Sequence, residues 1–412
     1  MEKVINVAII GAGSRGELFT DIISRVPQWA RVVAVAEPRR EQREALAAKH
    51  AIPREGLFTD WRELASRPRS FDAVVICTMD RDHVEPAVAF TDMGCHMLLE
   101  KPMATTLEDC MRIAKAQQKT GTVTCVCHSL RYTAGFSALK KLVQSGAIGR
   151  LITIDQLEQV AWWHQAHSFV RGNWGNEARS TFMLLSKSCH DIDYLAYLAQ
   201  SDCQRVQSFG SLTYFTRENA PAGSGERCTS CALERSCSYS ALRHYVDASR
   251  ETWPAAVVSP DHSRDAHLAA ITSGPYGRCV WKCDNNVVDH QVVTMEFESG
   301  MTATFTMSAF TQDGGRKIRV QGTLGEVDFT EERMVVKTFA DKGTQEIVFE
   351  REEGGHGGGD TRVLVSFLAA IREKSPSLVL TDVHESLRTH AIVFAAEKSR
   401  LQKRTVEMEE MT

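Results

Sequence analysis

Hydrophobic and polar positions follow two different periods along the chain, and the change of period divides it into two parts. Up to about residue 125, short apolar runs typical of buried strands alternate with segments whose apolar residues recur at helical spacing. Strands are predicted within residues 7–10, 31–37, 71–78 and 94–102, with helices between them. This is the pattern of an α/β domain, a doubly wound parallel sheet covered on both faces by helices, and we assign residues 1–125 to it.

In the second part of the chain, apolar positions alternate strictly with polar ones, as in residues 292–297 and 301–307. Such alternation predicts an open, mostly antiparallel sheet with two unlike faces. Two amphipathic helical patterns, residues 361–373 and 382–403, close the chain. We therefore expect a second, α+β domain over residues 126–412.

An apolar run near the start of the chain ends in the motif Gly11-Ala-Gly-Ser-Arg-Gly16, after which helical spacing resumes. Gly11 would permit a tight turn, Gly13 would let the backbone approach a pyrophosphate, and Gly16 would let the helix pack closely on the strand. The unpaired N–H groups and the dipole at the helix N-terminus favour an anion. The motif therefore predicts a dinucleotide-binding site.

An acidic residue stands at the end of the next predicted strand, where this motif requires one. Glu37 lies 21 residues past Gly16, at the position that would bind the hydroxyls of the adenosine ribose. Glu37 favours NAD, because its charge would repel the 2′-phosphate of NADP. Arg39 and Arg40 keep NADP open as the less favoured cofactor.

A cationic residue ends the fourth predicted strand of this part. Lys101 precedes Pro102, which ends the strand because proline cannot donate to the hydrogen-bond ladder. Ligands bind at the carboxyl ends of parallel strands in such sheets. Lys101 is therefore a candidate functional residue.

Composition narrows the class of protein. The chain has 412 residues, of which 43% are hydrophobic and 24% charged, which is typical of a soluble globular protein with two domains. Its net charge of −4 argues against nucleic acid as the main partner. No apolar run approaches the roughly 20 residues that span a membrane, and the first strand begins too early for a signal peptide. We expect no membrane association and a cytoplasmic location.

Five segments, taken together, resemble the Gfo/Idh/MocA oxidoreductase family. They are the glycine motif at 11–16, the Glu100-Lys101-Pro102 segment, and residues 145–149, 190–193 and 322–326. The order of these segments matches the family over nearly the whole chain. The resemblance implies a Rossmann domain and a C-terminal domain that often mediates oligomerisation, so we expect a homodimer or homotetramer. It also implies pyridine-nucleotide chemistry on sugars, cyclitols or their derivatives.

The resemblance also implies catalytic residues. In the family, the lysine of the Glu-Lys-Pro segment and a later histidine work beside the nicotinamide, and Lys101 and His190 match them. An imidazole suits the removal of a hydroxyl proton, and an ammonium suits the stabilisation of the oxygen. Many members carry an aspartate four residues before the histidine, where this chain has Ser186. Asp193 could substitute for that aspartate, or Lys187 could reach the substrate.

The expected cofactor-binding residues lie in the glycine motif and at the ends of the predicted strands. They are Gly11, Gly13, Ser14, Arg15, Gly16, Glu37, Thr78, His83, Glu100 and Lys101.

A dense aromatic and cationic stretch over residues 162–174 predicts part of a sugar-binding pocket. Aromatic faces cover the apolar faces of a pyranose, and His, Arg and Asn donate hydrogen bonds to hydroxyls. Three cations, Arg131, Arg171 and Lys187, would suit an anionic substituent such as a carboxylate or sulfonate. The alternative is a surface loop pinned by a cluster of tryptophans. The expected substrate-binding residues are Arg131, Tyr132, His164, His167, Arg171, Trp174 and Lys187.

A glycine-rich loop over residues 354–360 precedes the first of the two closing helices. His356 and Asp360 could line the same cleft, but we interpret the loop as a turn that caps the helix after Asp360.

An irregular insertion at residues 216–290 lacks either period and holds a cysteine cluster. Cys228, Cys231 and Cys237 are closely spaced, and Cys279 and Cys283 return about 40 residues later. A C-x2-C pair closed by a distant pair is typical of structural zinc sites, so we expect zinc on Cys228, Cys231, Cys237 and Cys279. Free thiols are the equal alternative, and an iron–sulfur cluster is a weaker one.

The sequence thus predicts an NAD-dependent oxidoreductase that acts on a ring hydroxyl of a sugar, cyclitol or glycoside. An alternative is an NAD-dependent glycosidase, which oxidises the ring transiently, eliminates the aglycone, adds water and returns the hydride. That reaction needs an extra acid or base, which His128, His164 or His167 could supply. A regulator that binds the cofactor without catalysis is disfavoured, because Lys101 and His190 are both present.

Overall fold

The computed structural model describes residues 4–350, 352 and 355–411, which build two sheets with helices packed against them. Gly354, the first residue of the glycine-rich loop, lies outside the described residues. The strands in chain order are β1 (Ile5–Ile10), β2 (Ala30–Ala36), β3 (Leu57–Phe58), β4 (Ala73–Ile76), β5 (His96–Leu99), β6 (Thr124–Val126), β7 (Leu151–Gln159), β8 (Cys203–Ser211), β9 (His290–Phe297), β10 (Thr302–Ser308), β11 (Gly315–Gly322), β12 (Gly325–Thr330), β13 (Arg333–Thr338), β14 (Thr344–Val348) and β15 (Val406–Glu407).

Helices alternate with strands in the first third of the chain and then fall between or after the strands of the second sheet. They are α1 (Ser14–Ser24), α2 (Arg40–His50), α3 (Trp61–Ala65), α4 (Val84–Asp92), α5 (Leu107–Thr120), α6 (Ala134–Gln144), α7 (Trp162–His164), α8 (Met183–Ala199), α9 (Arg264–Ser273), α10 (Gly359–Arg372) and α11 (Val383–Gln402). Within the described ranges, no helix combines the length and the apolar content needed to cross a membrane.

The first sheet is parallel throughout, with the strand order β3-β2-β1-β4-β5-β6. Its central strands are buried on both faces, which explains why they are continuous apolar runs rather than alternating patterns. The predicted doubly wound parallel sheet is therefore confirmed. The order of the strands reverses between β1 and β4, and this is where such sheets bind their ligands.

The second sheet has nine strands in the order β14-β13-β12-β11-β7-β10-β9-β8-β15. Its pairs are antiparallel except for β7 and β10, which run parallel. Along β10, Ala303, Phe305 and Met307 are buried while the intervening threonines face outward, as the alternating sequence predicts. The predicted mostly antiparallel sheet is confirmed.

Two helices position distant parts of the chain, one against each sheet. The apolar face of α10, with Val363, Leu364 and Phe367, shares one core with Val7 and Ile9 of β1. Helix α8 is buried along most of its length against the second sheet. Consequently α10 presents its first residues to the glycine motif, and α8 is reached from the first sheet by the side chain of Lys101.

Candidate active site

The local geometry explains separately why each position of the N-terminal motif is occupied by glycine. Gly11 has φ +93°, and a Cβ there would lie 2.7 Å from the carbonyl oxygen of Cys77. A Cβ on Gly16 would lie 2.0 Å from the carbonyl oxygen of Gly11. Gly13 precedes α1, whose first residue is Ser14, and the nearest atom to its Cβ position is the tip of Arg39 at 3.7 Å. The helix N-terminus therefore has open space in front of it for a phosphate group.

Glu37 follows β2 directly, and its carboxylate lies beside the glycine motif. Glu37 accepts a hydrogen bond from the N–H of Ala12 at 2.8 Å, and the Arg39 guanidinium donates to both of its oxygens at 2.7 and 2.9 Å. Burial acts to raise the pKa of Glu37, but the hydrogen bonds from Arg39 and Ala12 outweigh it and hold the pKa below its ordinary value. Arg40 points away to an exposed pair with Glu44.

Arg15 joins the glycine motif to α10. Its guanidinium donates to the two oxygens of Asp360 at 2.7 and 2.8 Å and to Glu100 at 2.6 Å. Asp360 is completely buried and also accepts from the Ser129 hydroxyl at 2.5 Å. Arg15 thus takes part in an ion-pair network around the buried Asp360, and its expected role in cofactor binding stays a prediction.

Two expected cofactor residues lie in the loops at the carboxyl edge of the first sheet. The Thr78 hydroxyl, just past β4, donates to the carbonyl of Asp82 at 3.0 Å. The buried ring of His83 lies between the carbonyl oxygens of Pro102 at 2.7 Å and Thr78 at 3.2 Å. His83 thus connects the loops that follow β4 and β5.

Lys101 and His190 meet at one turn of α8. The Lys101 Nζ donates to the carbonyl oxygen of Ser186 at 2.6 Å, and Ser186 lies one helical turn before His190. His190 is buried, and Arg316 donates to its Nε2 at 3.1 Å, whereas its Nδ1 has no partner in the described part of the chain. Burial, and then the charges of Lys101 and Arg316, hold the pKa of His190 well below its ordinary value.

Arg316 is the centre of a buried charge network that sequence reasoning missed. It donates to Asp191 at 2.5 Å and lies 3.1 Å from Glu158, which accepts from Lys187 at 2.6 Å. Burial raises the pKa of Glu158 despite these two cations. Glu158 and Arg316 occupy inward-facing positions of β7 and β11, where the alternating pattern calls for apolar residues. A charged residue at such a position was the sequence signal that could have identified them.

Asp193 does not contact His190. Its carboxylate instead accepts two hydrogen bonds of 2.7 Å from Arg131 and one of 2.9 Å from Thr389. Arg131 also donates to Glu385 at 2.9 Å and is almost completely buried. The sequence did not predict this buried pair. The contacts of the two residues give no support to Asp193 as a partner of His190 or to Arg131 as a substrate ligand.

Four of the expected substrate residues are likewise engaged inside the protein. Arg171, 2% exposed, donates to the carbonyls of Arg278 at 2.8 Å and Tyr239 at 2.7 Å. The other three residues form one hydrogen bond each. The Leu380 N–H donates to the Tyr132 hydroxyl at 2.9 Å, His167 Nδ1 is bonded to the Tyr245 hydroxyl at 3.1 Å, and the Trp174 indole donates to Asp80 at 3.1 Å. Each of these side chains thus has a hydrogen-bond partner within the protein, and its expected role in substrate binding stays a prediction.

Another expected substrate residue, His164, lies in an aromatic wall that it forms with Trp163 and Trp253. Its ring lies 5.7 Å from that of Trp163 and 4.9 Å from that of Trp253. Burial, followed by the charges of Lys187, His167 and Lys101, lowers the pKa of His164 well below its ordinary value. Trp253, 48% exposed, comes from the irregular insertion, and sequence reasoning missed it because no periodicity connects it to this wall.

The glycine-rich loop carries His356 to the same place. His356 Nδ1 lies 3.0 and 3.1 Å from the two Asp360 oxygens, and its ring centre is 5.7 Å from that of His190, edge to face. Gly358, not Asp360, precedes α10, and no side chain caps that helix. The glycine-rich turn does lead into α10, but the helix begins at Gly359, one residue before Asp360, and the Asp360 carboxylate is turned toward Arg15 and His356.

The cysteine cluster does not form the expected zinc site. Cys228, Cys231, Cys237 and Cys279 line one cavity of about 250 Å³, but no group of three or more His, Cys, Asp or Glu among the described residues is arranged to hold a metal. Arg171 donates to the Cys228 sulfur at 3.4 Å, and the Gly225 N–H donates to that of Cys231 at 3.3 Å. Burial raises the pKa of the Cys237 and Cys279 thiols. A buried guanidinium and protonated thiols both disfavour a second cation there.

Comparison with known proteins agrees with this architecture. Residues 5–128 match the model of an oxidoreductase family with an NAD-binding Rossmann fold, and residues 136–328 match the GFO/IDH/MocA C-terminal domain. The oxidoreductase YteT of Bacillus subtilis is 23% identical over 71% of each chain. An inositol 2-dehydrogenase of Paracoccus denitrificans is 30% identical over 48% of this chain and 55% of its own. Thus this chain spans about half the length of that dehydrogenase.

Solved structures show the same fold over the whole chain. Levoglucosan dehydrogenase in complex with NADH and levoglucosan superposes with a TM-score of 0.71 at 19% identity, covering 98% of this chain and all of that one. An oxidoreductase from Agrobacterium radiobacter in complex with NAD+, L-tartaric acid and magnesium gives 0.70 at 15% identity, with full coverage of both chains.

Proposed function

The chain belongs to the Gfo/Idh/MocA oxidoreductase family, and from this premise we propose that it is an NAD-dependent oxidoreductase of a secondary ring hydroxyl on a sugar, cyclitol or glycoside. One observation carries the proposal. Lys101, which follows β5, donates a hydrogen bond from Nζ to the carbonyl of Ser186. This bond places the lysine at the turn of α8 that precedes His190.

The residues around the glycine motif fit the cofactor. The open space before α1 suits the diphosphate, and the Glu37 carboxylate suits the ribose hydroxyls. When bound, the oxidised nicotinamide supplies the hydride acceptor for the substrate carbon. The pair between Glu37 and Arg39 supports NAD as the main cofactor, since the arginine is already held by the carboxylate.

Lys101 and His190 would both donate hydrogen bonds to the reacting oxygen. The Lys101 ammonium stabilises negative charge as it develops there. A guanidinium can only donate, so Nε2 of His190 is the acceptor from Arg316 and the proton of the neutral ring is on Nδ1. That Nδ1–H is buried and has no partner within the described ranges, so it is left to donate to a substrate oxygen once a substrate enters.

The aromatic wall supports a sugar or cyclitol ring as the substrate. Trp163 and Trp253 offer flat faces for the apolar side of such a ring, with their centres 5.4 Å apart. The engagement of Arg131 and Arg171 inside the protein removes two of the three cations that favoured an anionic substituent, and Lys187 is paired with Glu158. We therefore propose a neutral ring as the preferred substrate.

The test is a panel of neutral and anionic sugars, cyclitols and nitrophenyl glycosides, incubated with and without NAD while NADH and nitrophenol are followed together. NADH that rises in step with substrate loss supports the dehydrogenase. Nitrophenol released without NADH accumulation would establish the alternative, an NAD-dependent glycoside hydrolase. No product in either channel, from protein that binds NAD, would contradict both. Lys101→Met, which keeps the side-chain length without the charge, is expected to lose turnover while its NAD affinity is retained.

A homodimer or homotetramer in the cytoplasm completes the proposal. The outward-facing side of the nine-stranded sheet carries mostly polar residues such as Thr304 and Arg319, and a second copy could pair against it. Sedimentation velocity of the purified protein would test the assembly, and a monomer at all concentrations would contradict it.

A further inference from the structure

Oxidation of an alcohol requires a group that takes up the hydroxyl proton, and the two expected residues do not offer one here. His190 Nε2 already accepts from Arg316, so its ring has only the Nδ1 proton to give. The Lys101 ammonium has donors and no acceptor. A site with these two residues alone can hold an oxygen but leaves its proton without a destination.

His356 has the lone pair that the other two residues lack. Both oxygens of Asp360 lie 3.0 to 3.1 Å from its Nδ1, and a carboxylate can only accept, so Nδ1 carries the proton and Nε2 carries the lone pair. No hydrogen bond to Nε2 is formed by the residues that the structure describes. The side chain is 34% exposed, which leaves it accessible to a substrate, whereas Asp360 beneath it is completely buried.

The position of His356 matches the reacting centre. Its ring centre is 5.7 Å from that of His190, edge to face, so the two imidazoles are neighbours and a substrate oxygen beside one is close to the other. Among the described residues, the charged and titratable groups near the ring include Asp360, with Arg15 behind it, and His190 on α8. Arg15 and Ser129 fix the carboxylate that orients the imidazole.

The backbone is built to hold this arrangement. His356 has φ +50°, a left-handed conformation that a non-glycine residue seldom adopts and that recurs at functional sites. A Cβ on Gly355 would lie 2.0 Å from Oδ2 of Asp360, so the loop can pass over the carboxylate only with glycine there.

We propose that His356, oriented by Asp360, is the proton acceptor of this active site, and that His190 serves as a hydrogen-bond donor to the same oxygen. The inference rests on the proposed oxidoreductase function. In the oxidative direction the substrate O–H bond breaks and its proton bonds to His356 Nε2. The electron pair of that bond forms the carbonyl, while the C–H hydride leaves to the oxidised nicotinamide. In the reverse direction the same proton returns to the alkoxide.

The decisive variant is His356→Asn, because asparagine can still donate to Asp360 but has no group in place of Nε2. We expect kcat to fall about 100-fold or more, with the KM for substrate, the Kd for NAD and the Tm close to wild type. Added imidazole should restore part of the rate in His356→Ala. His384→Asn, which changes an exposed histidine bonded to Gln117, is the matched control and should leave kcat unchanged. Wild-type kcat in His356→Asn would overturn the proposal.

A second readout does not depend on turnover. In ¹⁵N NMR spectra of the unliganded protein, the His356 signals, identified by their loss in His356→Asn, should show the proton of the neutral ring on Nδ1. A neutral ring protonated on Nε2 would overturn the proposal. The two possible failures can be told apart. If the wild-type protein forms no NADH with any substrate, the proposed function is wrong. If NADH formation is unchanged in His356→Asn, only the assignment of His356 as the proton acceptor is wrong.

Discussion

Arg316 donates a hydrogen bond to Nε2 of His190 over 3.1 Å, so a permanent cation contacts the imidazole that the sequence marks as the catalytic base. The same guanidinium pairs with Asp191 and lies 3.1 Å from Glu158. The histidine is thereby held neutral with a defined tautomer, and the two buried carboxylates keep the arginine in place.

Replacing Arg316 by glutamine should therefore change both the histidine and the stability of the fold. The pKa of His190 should rise, because the Arg316 charge adds to burial and to Lys101 in lowering it. The free energy of unfolding should drop by about 3–5 kcal/mol, since Asp191 and Glu158 lose their buried cation. Histidine NMR titration and chemical denaturation measure the two effects.

Arg319→Gln provides the control, because Arg319 lies on the same strand, β11, in an exposed pair with Asp328. It should change neither quantity measurably. A His190 pKa that stays unchanged in Arg316→Gln would show that burial alone sets it.

Cofactor preference should depend on the pair between Glu37 and Arg39. In Glu37→Gln the amide can still accept from Ala12, but Arg39 is released from its charged partner. We expect the Kd ratio of NADP to NAD to fall about tenfold or more, because charged hydrogen bonds are worth roughly 1.5–3 kcal/mol. Fluorescence titration with both cofactors measures the ratio.

Arg40→Gln is the matched control for cofactor preference, since Arg40 is exposed and pairs with Glu44. Its Kd ratio should equal that of the wild type. An equal loss of affinity for both cofactors in Glu37→Gln would contradict a role in discrimination.

The two sheets could be predicted because their signal is local. A continuous apolar run indicates a strand buried on both faces, as β4 is, and strict alternation indicates a strand buried on one face, as β10 is. Lys101 and His190 could be predicted as catalytic residues because the order of the sequence motifs matches them to those of the family. Predicted strand ends were too long, as for residues 71–78 against β4, since apolar residues continue into the loops.

The partners of the candidate site could not be predicted, because they are set by packing between distant segments. Asp360 lies 345 residues from Arg15, and Arg316 lies 126 residues from His190. Arg131 was predicted to bind an anionic substrate because sequence spacing does not reveal its pairing with Asp193. Cysteine spacing likewise does not show that Arg171 donates to the Cys228 sulfur, and the described residues give no support to the zinc site expected there.

Acid should weaken the link between the glycine motif and α10. The pKa of Asp360 is held far below its ordinary value, because the hydrogen bonds from Arg15 and His356 outweigh the burial that would raise it. A carboxyl whose folded pKa is lowered stabilises the protein fully above its unfolded pKa, about 3.9, and this contribution is lost as the pH falls below that value.

Asp360→Asn should therefore be less stable than the wild type by about 3 kcal/mol at neutral pH, and the difference should shrink as the pH falls below about 4. Urea unfolding at a series of pH values measures the difference. A gap that stays constant down to pH values well below 4 would show that the carboxylate charge does not carry this stability.

The aromatic wall should contribute to substrate affinity and not to cofactor binding. Trp253 packs edge to face on both Trp163 and His164 while about half of its surface remains exposed, so it has a free face to offer a ring. Trp253→Ala should raise the KM for the sugar or cyclitol about tenfold, equivalent to roughly 1.4 kcal/mol of lost contact, with the Kd for NAD unchanged. Trp253→Phe retains a ring face and should recover most of that affinity. If Trp253→Ala instead altered the Kd for NAD and left KM untouched, the wall would belong to the cofactor site, and the substrate would have to approach Lys101 from another side.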